Sequence, residues 1–182
     1  RQITNSKRPI LSPDDVKGLK IRTPPAMAYQ AAIEALGGNV LTIAFGELVM
    51  AMRQGVVDGQ ENPIGVIYDL KLYESQKFIS IVNYLYSSMT HVVSKKVFDS
   101  LTEEQRNIII EESNKARLLM RELVRKQEQE QIADMRAKGI QIDTPDLTSF
   151  QAAMGPAYEK IKKNIGEENF NKWMEMAKAT AE

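Results

Sequence analysis

Through its first hundred residues the sequence alternates short apolar runs with amphipathic helical windows, which commits the chain to α/β construction around a parallel or mixed sheet. The pattern predicts strands at 19–22, 40–43, 56–58, 78–86 and 89–93, and helices at 27–36, 45–53 and 63–71. Local punctuation supports this division. Ser12-Pro13-Asp14-Asp15 opens a short helix ending at Gly18, with proline in the first turn and acids near the positive end of the dipole. Gly37-Gly38 supplies a left-handed stop after the helix that follows Met27, and Asp58-Gly59 reads as a tight turn closing the strand that begins at Val56.

From Thr102 the character changes. Thr102-Glu103-Glu104-Gln105 is a capping box, and helix-forming residues then run without Gly or Pro until Gly139, predicting one long helix. Its apolar face, Ile109, Ala116, Met120, Leu123 and Val124, stops near Arg125. Residues 126–131 are polar all round, as a segment bridging two parts of a fold would be. A strand at 140–142 and helices at 145–163 and 167–178 complete the chain, with no internal repeat or low-complexity linker.

Composition narrows function mainly by exclusion. A chain of 182 residues fits one ordinary domain or a piece of a larger two-lobed protein. Its 24 basic and 24 acidic residues cancel, so no net field draws it to nucleic acid or an anionic membrane, and any anion recognition must be local. No apolar run approaches the roughly 20 residues of a membrane-spanning helix. The absence of cysteine removes disulfides, thiolate metal sites and thiol nucleophiles, and suits a cytosolic protein or a cysteine-avoiding envelope protein. The chain opens on Arg1 with no charged-then-apolar leader, so any targeting segment is expected upstream or removed.

Catalytic readings have little to stand on. His91 is the only histidine, which rules out a two-histidine metal site, and in its apolar run it reads as a residue hydrogen-bonded at a sheet edge. No phosphate cradle, dinucleotide fingerprint or nucleophile elbow is found. Arg117, Arg121 and Arg125 form a basic stripe, but interleaved acids such as Glu111 and Glu122, and the lack of aromatics, mark an ordinary exposed helix rather than a nucleic-acid surface.

Two regions differ from ordinary surface. In Lys20-Ile21-Arg22-Thr23-Pro24-Pro25 an arginine ends a strand, at the edge where open α/β sheets bind ligands, and guanidinium holds a carboxylate through two parallel hydrogen bonds. A structural salt bridge explains Arg22 equally well from this segment alone. In the second region, Val56 to Pro63, a strand, a turn and a helix start place Gln60, Glu61 and Asn62 in sequence. Asn62 before Pro63 is the expected N-cap, yet three polar side chains exceed what one cap requires. Phe45, just after a strand, suits a core position or a pocket wall.

These segments resemble the substrate-binding proteins of tripartite ATP-independent periplasmic (TRAP) transporters, the DctP type. The likeness extends over essentially the whole chain, carried by Arg1-Gln2-Ile3-Thr4, Leu19 to Pro24, Glu34-Ala35-Leu36-Gly37, Phe45-Gly46-Glu47-Leu48 and Gln54 to Pro63. The resemblance implies one lobe of a two-lobed periplasmic binding protein, type II-like, with a long bridging helix. It implies that Arg22 forms a bidentate salt bridge with a substrate carboxylate, that Arg1 on an interdomain strand and Asn62 help hold the anion, and that Phe45 packs against the ligand's body. Glu61 then holds an arginine in place, with Gln60 beside it, and neither cofactor nor metal is called for. Tyr84 falls where many relatives carry histidine or another polar residue, and receives no pocket role. Pro25 stands where sialic-acid-binding members tend to carry asparagine, so a smaller mono- or dicarboxylate is expected.

The same resemblance assigns residues 1–87 and 128–182 to the second lobe and 88–127 to a return excursion into a first lobe that is mostly absent. It implies a periplasmic solute-binding component that captures an organic acid, catalyses nothing and delivers its cargo to a membrane permease. With half the cleft missing, weak or absent ligand binding and self-association through uncovered inter-lobe surface are expected. A competing reading makes the long helix the centre of a helical assembly protein without a ligand, although its apolar positions keep no strict seven-residue repeat.

Overall fold

The computed structural model describes residues 1–179. Six strands form one mixed sheet: β1 (Gln2–Asn5), β2 (Lys20–Thr23), β3 (Asn39–Thr42), β4 (Gly59–Asn62), β5 (Phe78–Ser80) and β6 (Gln141–Asp143), in the order β3-β2-β4-β1-β5-β6. β2 runs parallel to both β3 and β4, and β5 parallel to β6. β1 alone runs against its two neighbours, between β4 and β5. The helices are α1 (Met27–Ala35), α2 (Leu48–Arg53), α3 (Ile64–Asp69), α4 (Lys95–Asp99), α5 (Glu103–Ala137), α6 (Thr148–Ala153), α7 (Gly155–Ile165) and α8 (Glu167–Ala179).

The two faces of the sheet are covered differently. On one, Ile3 and Ile21 pack against Ala31, Ala32 and Ile33 of α1 and against Phe150, Met154 and Ala157. On the other, Ile79 and Ile142 meet Leu48 and Met52 of α2, Ile64 and Ile67 of α3, and Met135 near the end of α5. Strand alternation makes this sorting automatic, because neighbours along a strand point to opposite faces. Across the second face the register aligns Leu41, Arg22, Gln60, Thr4, Ile79 and Ile142, a row that is apolar at its ends and polar in the middle.

Several predicted elements move. The strand expected at 56–58 lies instead at Gly59–Asn62, and Asp58-Gly59 is its entry rather than a turn beyond it. Glycine is required there for closeness: a Cβ on Gly59 would stand 2.1 Å from the Thr4 carbonyl oxygen. Asp58 fastens the entry by accepting from the Lys20 backbone N–H at 2.9 Å. Asn62 is therefore the last residue of a central strand and not a helix N-cap, a position that Pro63 occupies. The polar segment Gln2–Asn5 is a strand that the apolar pattern did not mark. The strand expected at 78–86 stops at Ser80, and 89–93 forms none, because no neighbouring strand is there to pair with and Met89 and Val92 stand in the open.

Helix punctuation is more faithful. Ser12-Pro13-Asp14-Asp15 starts a single 3-10 turn at Pro13–Val16, and Gly37 adopts the left-handed conformation (φ +83°) after α1. The helix expected at 45–53 opens as a 3-10 turn and becomes α2 at Leu48, and that expected at 145–163 is broken at Met154 into α6 and α7. The capping box forms, with the Gln105 N–H donating to Thr102 Oγ1 at 3.2 Å and the Thr102 N–H donating to Gln105 Oε1 at 3.0 Å. The helix it starts runs 35 residues, yet only Met135 in it is buried. His91 lies on no sheet edge; its Nδ1 is 2.6 Å from Ser113 Oγ on α5, in an exposed position. No helix among the described residues is long and apolar enough to cross a membrane.

Candidate functional site

The carboxyl ends of β2, β3 and β4 lie side by side and bring to one edge of the sheet Arg22 near the end of β2, Phe45 in the 3-10 turn that follows β3, and Asn62 at the end of β4. Arg1, immediately before the antiparallel β1, reaches the same edge because Gln2 pairs with Asn62. Sequence distances of up to about sixty residues thus collapse onto one place.

The two guanidinium groups there are held in contrasting ways. Arg1 donates from Nε to Glu61 Oε2 at 2.5 Å, and from its second terminal nitrogen to Glu61 Oε1 at 3.1 Å, the Glu61 carbonyl at 2.9 Å and Asn62 Oδ1 at 2.9 Å. Its charge also lies 5.0 Å from the centre of the Tyr29 ring. Burial works against the Arg1 charge, but the hydrogen bonds and attraction of Glu61 outweigh it, and the pKa rises.

Arg22 is only 3% exposed, but it has no carboxylate partner. Its Nε donates to the Ile43 carbonyl at 2.9 Å and its guanidinium carbon lies 5.7 Å from the Phe45 ring centre, while both terminal nitrogens lack a protein partner. Burial depresses its pKa, Glu61 partly offsets this, and Arg1 adds to the depression. Guanidinium nevertheless remains charged at any ordinary pH. Among side chains, two cations, Arg1 and Arg22, stand against one anion, Glu61, so at least one positive charge at the sheet edge is uncompensated. A buried cation without a counter-charge is costly, and an oxyanion that takes both free N–H pairs of Arg22 relieves that cost.

Other side chains complete the surroundings. Phe45 is half exposed and offers an apolar wall beside the Arg22 charge. Glu61 is fully buried, and so is Gln60, whose amide is used within the sheet and whose neighbour across the strands is Arg22. Pro25 is exposed just beyond β2 and has no N–H to offer. The hydroxyls of Thr23 and Tyr84 are buried without hydrogen-bond partners. Burial first, and then the Glu61 charge, push the Tyr84 pKa upward, so this phenol stays neutral. Sequence reading passed over Tyr29, and it weighed Tyr84 but gave it no pocket role, although its hydroxyl is buried here. The first is signalled only by its place in the first turn of the helix that follows the arginine strand. A cleft of about 360 Å³ beside Arg1 is lined by Gln2, Asn83 and Gln131 among others. Among the described residues no cluster of metal-ligating side chains forms.

A buried guanidinium without a protein counter-charge at the carboxyl ends of parallel strands is what a protein that binds acidic solutes requires, and the chain's relatives are of that class. The family model described as bacterial extracellular solute-binding protein, family 7 (DctP), matches residues 1–164, and the chain belongs to that family. It is 35% identical over 167 residues to a solute-binding protein of Verminephrobacter eiseniae, a match that takes in 91% of this chain and 50% of that one. It is 34% identical to the 2,3-diketo-L-gulonate-binding periplasmic protein YiaO of Escherichia coli, over 85% of this chain and 48% of that protein. The crystal structure of a TRAP periplasmic solute-binding protein from Polaromonas sp. JS666, bound to D-erythronate, superposes with a TM-score of 0.85 at 35% identity, covering 94% of this chain and 57% of that one. The chain spans about half the length of the curated relatives it matches, and its α/β architecture is that of one lobe of such a protein.

Proposed function

We propose that this chain forms the larger part of a carboxylate site in the periplasmic solute-binding component of a TRAP transporter, which captures a small organic acid, transforms nothing and delivers it to a membrane permease. The observation that carries the reading is the buried Arg22 guanidinium, whose terminal nitrogens face no protein anion. Its fork takes the carboxylate in two parallel hydrogen bonds, Asn62 and Arg1 add donors from the neighbouring strands, and Phe45 lies along the ligand's body. Glu61 keeps Arg1 in place, and Gln60 stands behind Asn62. The erythronate in the Polaromonas relative supports a compact acid, and so does the exposed Pro25, which brings no side-chain donor.

On this reading residues 1–87 and 128–182 belong to one lobe, and 88–127 reach into another. The exposure of most of the first half of α5, where no side chain is fully buried, against the packing of its last turns on α3 and β6, favours that division. Unless that exposed surface is covered, copies of the chain associate through it. Titration calorimetry with millimolar D-erythronate, D-glucuronate and succinate tests the site. Any binding is expected to be weak, since the chain spans about half the length of its relatives, and Arg22→Ala is expected to abolish it, because removing one partner of a sheltered charge pair costs about a hundredfold or more in affinity. Equal affinity in the variant rejects the mechanism.

A further inference from the structure

An ordered chain of hydrogen bonds runs from the site through the centre of the sheet. Arg1 donates to Asn62 Oδ1 at 2.9 Å, and Asn62 Nδ2 donates to Gln60 Oε1. Gln60 Nε2 donates to Thr4 Oγ1 at 3.0 Å, Thr4 Oγ1 donates to Gln76 Oε1 at 3.0 Å, and Gln76 Nε2 donates to the Ser75 carbonyl at 2.9 Å. Asn62, Gln60, Thr4 and Gln76 are all buried.

Every bond in this chain points the same way, and both ends force the direction. Guanidinium can only donate, so the Asn62 atom facing Arg1 must be oxygen, and its nitrogen must face Gln60. A backbone carbonyl can only accept, so Gln76 turns its nitrogen to Ser75 and its oxygen to Thr4. The threonine hydroxyl, which both accepts and donates, joins the two halves without a conflict. Support for the sheet alone does not account for the arrangement, since the same row is filled by Leu41 on one side and by Ile79 and Ile142 on the other.

The consequence falls on Asn62. Its oxygen accepts from Arg1 and one N–H is given to Gln60, which leaves its second N–H as the one donor it can still present at the sheet edge. An unrestrained carboxamide turns over readily, because its oxygen and nitrogen ends have the same shape. We propose that Gln60, Thr4 and Gln76 are positioning residues that, together with Arg1, hold the Asn62 amide with an N–H outward, so that the site favours an oxygen acceptor of the bound acid there. The proposal rests on the carboxylate reading of the site and adds Thr4 and Gln76, whose side chains are buried among protein groups behind Gln60, to what determines specificity.

Thr4→Val tests it, because valine fills the same volume in a strand but neither accepts from Gln60 nor donates to Gln76. In isotope-labelled protein, hydrogen exchange at the Asn62 and Gln60 side-chain amides is expected to speed up at least about tenfold, with backbone protection in β1 and β4 kept. Affinity for D-erythronate is expected to fall by about tenfold, and Thr4→Ser, which retains the hydroxyl, to bring both readouts back to within about twofold of the parent. Gln76→Met, at the far end of the chain, provides the same two readouts should Thr4→Val not fold. Unchanged side-chain exchange at Asn62 in these variants overturns the relay, and so does altered exchange with erythronate affinity unchanged. Should the parent protein bind none of the acids named above, the carboxylate reading fails by itself, and the amide exchange alone decides whether the lock exists.

Discussion

Two guanidinium groups share one carboxylate, and what Glu61 does follows from how unequally it serves them. Arg1 is clamped by three oxygens of Glu61 and one of Asn62, whereas Arg22 is seated on a carbonyl and an aromatic face with nothing of opposite charge in contact. Glu61 therefore holds one cation and only dilutes the field of the other. Removing one partner of a buried ion pair costs roughly 3–5 kcal/mol, and because glutamine keeps an acceptor for Arg1, Glu61→Gln is expected to cost about 3 kcal/mol. The loss is read as a lower urea midpoint at unchanged slope. The same replacement leaves two uncompensated positive charges at the sheet edge, so affinity for D-erythronate is expected to rise. A protein that is less stable yet binds more tightly bears out this division of roles. If stability and affinity fall together, Glu61 acts by shaping the notch and not through its charge.

At the level of elements, the long helix is the most asymmetric part of the molecule. Its last turns carry Met135, fully buried against β6, α3 and the Tyr73 turn, and Asp134, which accepts from Tyr68 at 2.7 Å and from Lys138 at 2.5 Å. The Lys138 ammonium also lies over the Tyr68 and Tyr73 rings, so side-chain contacts as well as packing fasten this end. Met135→Ala is expected to destabilise by about 2–5 kcal/mol, whereas Leu119→Ala, at a position 56% exposed on the same helix, should stay within about 0.5 kcal/mol of the parent. Chemical denaturation of the two variants decides it, and comparable losses would mean that the first half of the helix is packed too. The helix itself was legible from Thr102 onward because a capping box and a run free of Gly and Pro are local signals. The central strands were not. Gln2–Asn5 and Gly59–Asn62 carry Gln, Thr, Asn and Glu into the middle of the sheet, where those side chains satisfy one another across strands. A pattern that marks strands by apolar residues has no means of seeing such partners. Arg22 and Phe45 could be placed at a strand edge from sequence. The pairing of Arg1 with Glu61 joins residues sixty apart, and only the register of β1 on β4 creates it.

For the molecule as a whole, the question is what meets the surface that the sheet and its helices do not use. From Tyr86 to Val124 the chain turns apolar side chains outward: Met89 and Val92 are 92% and 87% exposed, and Ile108, Leu118, Leu119 and Met120 of α5 are each more than half so. Single exposed apolar residues are ordinary, but monomeric proteins rarely leave a continuous apolar face of more than a few hundred Å² to water. Charge opposes association only locally, since Arg117, Arg121 and Arg125 have Glu122 alone among them, while the whole chain is neutral and salt screens what repulsion the stripe exerts between two copies. Burying such a face releases free energy in proportion to its apolar area, and a second copy presents the same face. Sedimentation velocity of the chain is therefore expected to show a weight-average mass that climbs with concentration. Because the attraction is apolar, raising the salt should not reverse it. Replacing Leu119 and Met120 together by glutamate is expected to return the chain to the mass of one copy while leaving its unfolding midpoint nearly unchanged, since both side chains are more than half exposed. A single species at the mass of one chain across the whole concentration range, before any such replacement, would show that this face stays open in water without association.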